Sequence, residues 1–341
     1  MATISLCMIV KNEEAVLARC LDSICGLMDE MIIVDTGSTD RTREIAKKYT
    51  KKVYSFAWVN DFSAARNFAF SKASCEYIYS ADADEVLDEE NREKFRYLKE
   101  NLMPEVEIVQ MYYGNQLSHR SVYNYDRELR PKLFKRQRSF QWIDPIHETV
   151  RLLPVVFDSD IEITHMPQGS HAGRDLAIFE DMVKREESFS KRLFTMYAKE
   201  LLIAGDRDRL ACAEDFFTQA ADGGQTAPEQ MKEALCVVVR AARLRGDGLK
   251  MYRYAMKGVT DEGISEVCWE LGEYYFMRKD YVEASIWYYN AAYETSSILN
   301  IHTGGDLPLM RLSECYEALG EKEQAKEYRS LAKSWTAENN A

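Results

Sequence analysis

The sequence predicts an α/β domain with a mainly parallel sheet over residues 1–173, followed by an all-α solenoid over residues 174–341. Three observations carry this expectation. Short apolar runs alternate with amphipathic stretches through the first half. From about residue 174 only helical spacing remains. Within that second half, helix pairs recur on one plan. A chain of 341 residues is long enough for two domains, each with its own core.

The run TISLCMIV (3–10) is continuously apolar, as expected of a strand covered on both faces. EAVLARCLDSIC (14–25) spaces its apolar residues as a helix does. EMIIVDTG (30–37) is a second buried strand, DRTREIAKKY (40–49) a helix and KKVYSFAW (51–58) a third strand. FSAARNFAFSKA (62–73) is a helix and EYIYSAD (76–82) a fourth strand. Sheets of this kind bind ligands at the carboxyl ends of their strands. Asp35 and Asp82 fall at such ends. IEITHMP (161–167) reads as a later strand ending at His165.

In the second half, residues 264–296 read as two amphipathic helices around a short turn, and residues 307–335 repeat the plan. Leu271-Gly272 aligns with Leu312-Ser313, Tyr275 with Tyr316 and Ala284 with Ala325. The step between aligned positions, from Leu271 to Leu312, is 41 residues, with the excess in the loop near NIHTGGDLP. Two weaker helix pairs precede, at 194–221 and 232–259. The pattern resembles tetratricopeptide repeats over residues 190–334, and Trp269, Leu271, Gly272 and Tyr275 nearly meet their Trp-x-Leu-Gly-x-x-Tyr signature.

Charge narrows the partners. The net charge is −12, and both halves are acidic: 22 basic against 27 acidic side chains in residues 1–173, and 22 against 29 in the rest. With no basic block or stripe, nucleic acid and anionic lipid are not expected as main partners. No run approaches 18 apolar residues, so no transmembrane segment is expected. The amino terminus lacks a basic region before its apolar run and a cleavage site after it, and reads as a first core strand. The eight cysteines form no Cys-x-x-Cys pair and read as reduced core residues of a cytoplasmic protein.

The chemistry concentrates in YIYSADADEVLD (77–88), where a core strand runs into Asp82, Asp84 and Glu85 within four positions. Like charges this close raise one another's pKa unless a cation sits among them. A bound metal and a well-solvated turn are the two physical answers. In DTGSTDRT (35–42), Asp35 ends a strand and can accept from a base-ring N–H or a ribose hydroxyl, or serve only as a capped turn. ARNFAF (65–70) opens a helix with Arg66 and Asn67, and Arg66 is suited to a phosphate or a carboxylate. The stretch at 130–150 combines basic residues with Trp142, His147 and Glu148.

The segments SLCMIVKNEE, IIVDTGSTDRT, WVNDFSAARNFA and SADADE stand in the order and spacing of family 2 glycosyltransferases of the GT-A fold. The resemblance covers residues 4–87 closely and extends more loosely to about residue 173. It implies that Lys11, Asn12, Glu13 and Asp35 hold uracil and ribose, and that Arg66 and Asn67 are the family's Arg-Asn helix start. It implies that Asp82 and Asp84 are the family's Asp-x-Asp, binding Mn²⁺ or Mg²⁺ against the donor diphosphate, with His165 completing the metal shell. Glu148 is the implied catalytic base and His147 its rival. One departure stands at the base contact: the family's Pro-x-Tyr-Asn-Glu opening reads Ile9-Val10-Lys11-Asn12-Glu13.

The function implied is metal-dependent, inverting transfer of a hexose from a UDP-sugar. The repeat domain would hold a peptide, protein or glycan acceptor, or build a homodimer. The two-domain plan is similar to bacterial peptide S-glycosyltransferases of the glycocin type. Two alternatives stand beside it: a transferase extending a cell-surface or lipid-linked glycan, and a non-catalytic repeat scaffold.

Overall fold

The computed structural model describes residues 1–114, 128–138, 142–146, 149–150, 154–166, 172–223, 226–260 and 263–336. Contacts divide the chain into two units, Met1–Ser170 and His171–Ala341.

The first unit opens with β1 (Ile4–Val10), α1 (Leu17–Ile24), β2 (Glu30–Asp35), α2 (Thr42–Tyr49), β3 (Val53–Ser55), α3 (Phe62–Phe70) and β4 (Tyr77–Ser80). It continues with β5 (Glu85–Val86), α4 (Glu89–Asn101), β6 (Ile108–Gly114), β7 (Glu128–Lys135), β8 (Trp142–Ile143), β9 (Thr149–Val150) and β10 (Val156–His165). Eight strands form one mixed sheet in the order β3-β2-β1-β4-β7-β6-β10-β5, and β8 pairs with β9 apart from it. β1 shows why the sheet is covered on both faces. Its Ile4, Leu6, Met8 and Val10 pack with Leu17, Cys20, Leu21 and Ile24 of α1. Its Cys7 joins Ile32, Val34, Ile78 and Ala69 on the other face. The period of two divides one apolar run between two cores.

The expected strands and helices are present with shorter ends. The third strand contracts to Val53–Ser55, and the fourth stops at Ser80. β10 begins at Val156, earlier than expected, and ends at His165 as expected. Sequence reasoning left β5, α4, β6, β7, β8 and β9 unread; of these, β7 lies antiparallel between β4 and β6 near the middle of the sheet. Its Arg130, Pro131, Lys132 and Lys135 dilute the apolar signal to a buried Leu133-Phe134.

The second unit starts with α5 (Ala172–Lys184) and continues as four helix pairs. These are α6 (Lys191–Ala204) with α7 (Arg207–Ala221), α8 (Pro228–Arg245) with α9 (Gly248–Gly258), α10 (Ser265–Met277) with α11 (Tyr281–Tyr289), and α12 (Asp306–Leu319) with α13 (Lys322–Ser334). First helices begin at Lys191, Pro228, Ser265 and Asp306, steps of 37, 37 and 41 residues. The same acid caps three of the second helices: Asp206, Asp247 and Asp280 accept from the backbone N–H of Arg209, Lys250 and Glu283. The longer last step holds a π turn (Asn290–Glu294) and a 3₁₀ turn (Ile301–Gly304). Buried Glu266 fixes it by accepting from the N–H groups of Ile298, Leu299 and Asn300 at 2.7–3.0 Å.

The aligned repeat positions share one environment. Leu271 and Leu312 are fully buried, as are Ala284 and nearly Ala325. Gly272 sits where α10 meets α11: a Cβ there would lie 2.5–2.6 Å from Tyr288 ring carbons. Replacing a helical glycine by alanine ordinarily stabilises by roughly 0.5–1 kcal/mol. Here overpacking of about 1–3 kcal/mol opposes that gain. Gly272→Ala is therefore expected to lower the melting temperature in a thermal denaturation, and a rise would contradict this packing.

Candidate nucleotide and metal site

The carboxyl ends of β1 and β2 lead into two loops that hydrogen bond to each other. Asn12 adopts φ 56°, a left-handed conformation that asparagine tolerates. Its backbone N–H donates to Ser38 Oγ at 2.9 Å, and its Oδ1 accepts from the Thr39 N–H at 2.8 Å. The Glu13 N–H donates to Thr42 Oγ1 at 2.7 Å. Asp35, buried at the end of β2, accepts from the Ser38 N–H at 3.2 Å and lies 3.6 Å from Arg43 Nη1. Gly37 turns the chain at φ 110°. Lys11 is exposed at the rim of the same loop. Asn12, Glu13 and Asp35 thus stand on one rigid edge, with Lys11 beside them.

The three acids that follow β4 each meet a different group. Asp82 Oδ1 accepts from Arg66 Nη2 at 2.9 Å, while Arg66 Nη1 donates to Ser80 Oγ at 3.0 Å. Asp84 Oδ2 lies 3.0 Å from His165 Nε2. Glu85 forms a buried ion pair with Lys132 of β7. Burial works to raise the Asp82 carboxyl, but the Arg66, Lys132 and Arg130 charges outweigh it and hold it well below the usual carboxylate range. Burial pushes Glu85 up to about 7; Lys132 pulls it back, and Asp82 and Asp84 add to the rise. Arg130 stacks 4.0 Å above the Tyr113 ring, which also lies 5.0 Å from the His165 ring.

This geometry alters the expected ligand set. Asp82, Asp84 and His165 do not converge on one point, because the Arg66 guanidinium takes the Asp82 carboxylate. Among the described residues no group of three or more His, Cys, Asp or Glu side chains is arranged to hold a metal. Asp84 and His165 do meet, with side chains 15% and 12% exposed. A carboxylate and an imidazole make a donor pair suited to a divalent ion that completes its shell with phosphate oxygens and water. Asn67 is spent on structure: its Nδ2 donates to the Trp142 carbonyl at 3.0 Å and its Oδ1 accepts from the Trp142 N–H at 2.9 Å. Arg66 stacks over that tryptophan ring at 5.1 Å. The Phe62 N–H donates to the Pro145 carbonyl at 2.8 Å. His147 and Glu148, the expected base and its rival, lie outside the described residues.

Sequence reasoning missed Lys132, Arg130 and Tyr113. The available signal was the two-residue spacing of Arg130 and Lys132, which puts both on one face of a strand.

Arg66 is the cation whose removal is easiest to read. Its pair with Asp82 contributes fully above the ordinary aspartate value of 3.8 and is lost as pH falls below it, because the folded carboxyl is depressed. Arg66→Met is expected to cost about 1–2 kcal/mol at pH 7, allowing for solvent screening at Asp82. The cost should shrink in denaturant titrations below about pH 4. A cost independent of pH would remove the ion pair as its cause.

Residues 5–152 match the glycosyl transferase family 2 model. An uncharacterized glycosyltransferase of Rickettsia typhi is 35% identical over 124 residues, 35% of this chain and 42% of the relative. The prophage-derived glycosyltransferase SunS of Bacillus subtilis is 39% identical over 100 residues, 27% of this chain and 22% of SunS. A TPR repeat-containing protein of Synechococcus elongatus is 49% identical over 87 residues, 26% of this chain and 22% of the relative. The chain thus spans less than half the length of each. Among solved structures, glucosyl-3-phosphoglycerate synthase from Mycobacterium tuberculosis with Mn²⁺ and UDP-glucose is 17% identical, covering 55% of this chain and 81% of that one, at a TM-score of 0.41. That likeness is too loose to carry a substrate or a mechanism. Over residues 5–152 this chain is similar to glycosyltransferase family 2, and helix pairs that resemble tetratricopeptide repeats follow in sequence.

Proposed function

We propose that the chain is a metal-dependent, inverting glycosyltransferase that moves a hexose from a UDP-sugar to a peptide or protein acceptor. The observation that carries the reading is the Asp84–His165 pair at 3.0 Å, beside the ionised Asp82, just beyond β4. That is the carboxyl edge where α/β sheets take their ligands.

In this reading Asp35, Asn12, Glu13 and Lys11 hold uracil and ribose. Arg66 keeps Asp82 ionised, so that the turn stays anionic at neutral pH. Mn²⁺ or Mg²⁺, when bound by Asp84 and His165 with Asp82 at its flank, would supply charge neutralisation for the departing diphosphate. Glu148 takes the acceptor proton as the nucleophile attacks the face opposite the diphosphate, so one base suffices; His147 is the second candidate. Asn67 acts through the backbone of Trp142, not on the nucleotide. The helix pairs hold the acceptor or build a homodimer. Among the described residues no helix is long and apolar enough to cross a membrane. An inert scaffold would have no need of the Asp84–His165 pair.

The test is a panel of UDP-hexoses assayed for UDP release in Mn²⁺ and in excess EDTA. Release in Mn²⁺ and none in EDTA is expected. Asp84→Asn should lower the Mn²⁺-dependent rate roughly a thousandfold, about 4 kcal/mol of lost charge stabilisation, while the protein stays folded. Equal release in EDTA contradicts the reading. Glu148→Gln should lower transfer by about 10²–10⁴-fold, and wild-type transfer in that variant would move the base to His147.

A further inference from the structure

One buried ion pair has no part in the proposed reaction. Glu85 is 2% exposed and Lys132 6%. They bond to each other at the acidic turn, and among the described residues Glu85 Oε2 is buried with no hydrogen-bond partner. A buried ion pair is a poor device for stability, since an apolar pair of similar volume often holds a fold as well or better. Its place in the chain gives it another use. Glu85 follows Asp84 and pairs in register with His165, and the Met166 N–H donates to the Asp84 carbonyl at 3.0 Å. Lys132 Nζ lies 5.2 Å from the Tyr113 ring, which packs against His165. One ion pair therefore ties β7 to the residue beside Asp84 and abuts the ring that supports His165.

We propose that Lys132 and Glu85 are a positioning pair that sets the orientation of Asp84 and His165 toward a divalent cation. The proposal rests on the cation reading given above. A site with two protein donors depends on the angle between them more than a site with four does, because no further side chain corrects an error. Groups that orient metal ligands from behind typically contribute about 10–100-fold to metal affinity.

The experiment separates orientation from stability and from charge. Replacing both partners, as Lys132→Met with Glu85→Leu, leaves the net charge of the site unchanged and avoids stranding one buried charge. Calorimetric titration of UDP over a series of Mn²⁺ concentrations gives the half-saturating Mn²⁺. Thermal denaturation gives the stability. The double variant is expected to melt within about 4 °C of wild type while its half-saturating Mn²⁺ rises about 10–100-fold. Lys132→Met alone should show the same rise together with a lower melting temperature, since it leaves Glu85 buried and unpaired. A double variant with wild-type half-saturation overturns the proposal, as does one whose melting temperature collapses, for then the pair serves only the fold. Wild-type UDP affinity that ignores Mn²⁺ is a separate result: it removes the cation reading itself, and this proposal with it.

Discussion

The arrangement of the first unit depends on how three carboxylates within four residues are kept apart. Asp82, Asp84 and Glu85 would repel one another at the end of a core strand. Each is answered from a different element: Arg66 on α3, His165 at the end of β10 and Lys132 on β7. The alternation of the turn makes this division available, and the sheet order makes it necessary. β7 lies beside β4, so its lysine comes up beneath the turn, while β10 pairs with β5 and brings the histidine across from the far side. Remove Lys132 and Glu85, 2% exposed, is left in a low-dielectric setting without compensation, whereas Asp82, with its side chain 38% exposed, keeps solvent when Arg66 is removed.

This division explains why the Asp-x-Asp residues are not equivalent. Asp82 is held ionised by a guanidinium and anchored to Ser80 through it. Asp84 faces an imidazole, which is itself a donor for a metal ion. One acid is therefore a fixed negative charge, and the other is, in the proposed reading, half of a ligand pair. The loops after β1 and β2 are held for a different reason. Asn12 and Ser38 close the gap between two loops with backbone and side-chain hydrogen bonds, so the edge that would receive a base is formed before any ligand arrives.

Much of this was legible in the sequence. The run at β1 announced a strand buried on both faces, and its residues do divide between two cores. The recurrence of Leu271-Gly272 at Leu312-Ser313 announced the helix pairs, because packing equivalent helices demands equivalent small and large residues. His165 could be placed at a strand end from its neighbours alone. What could not be read was long-range pairing. The stretch around Lys132 read only as basic, because a buried lysine is legible only once its acid is known. The same holds for Asn67, whose hydrogen-bond partner, the Trp142 backbone, lies 75 positions away. A sequence displays which charges exist, but the topology decides which of them meet.

The central claim is that Asp84 and His165 together form the cation site of this edge. Anomalous diffraction at the manganese edge, from crystals grown with Mn²⁺ and UDP, tests it most directly. The account predicts one manganese peak about 2.0–2.6 Å from both Asp84 Oδ2 and His165 Nε2, with the UDP diphosphate on its open side. A peak bound by Asp82 without His165, or UDP held at this edge with no manganese beside it, would contradict the account.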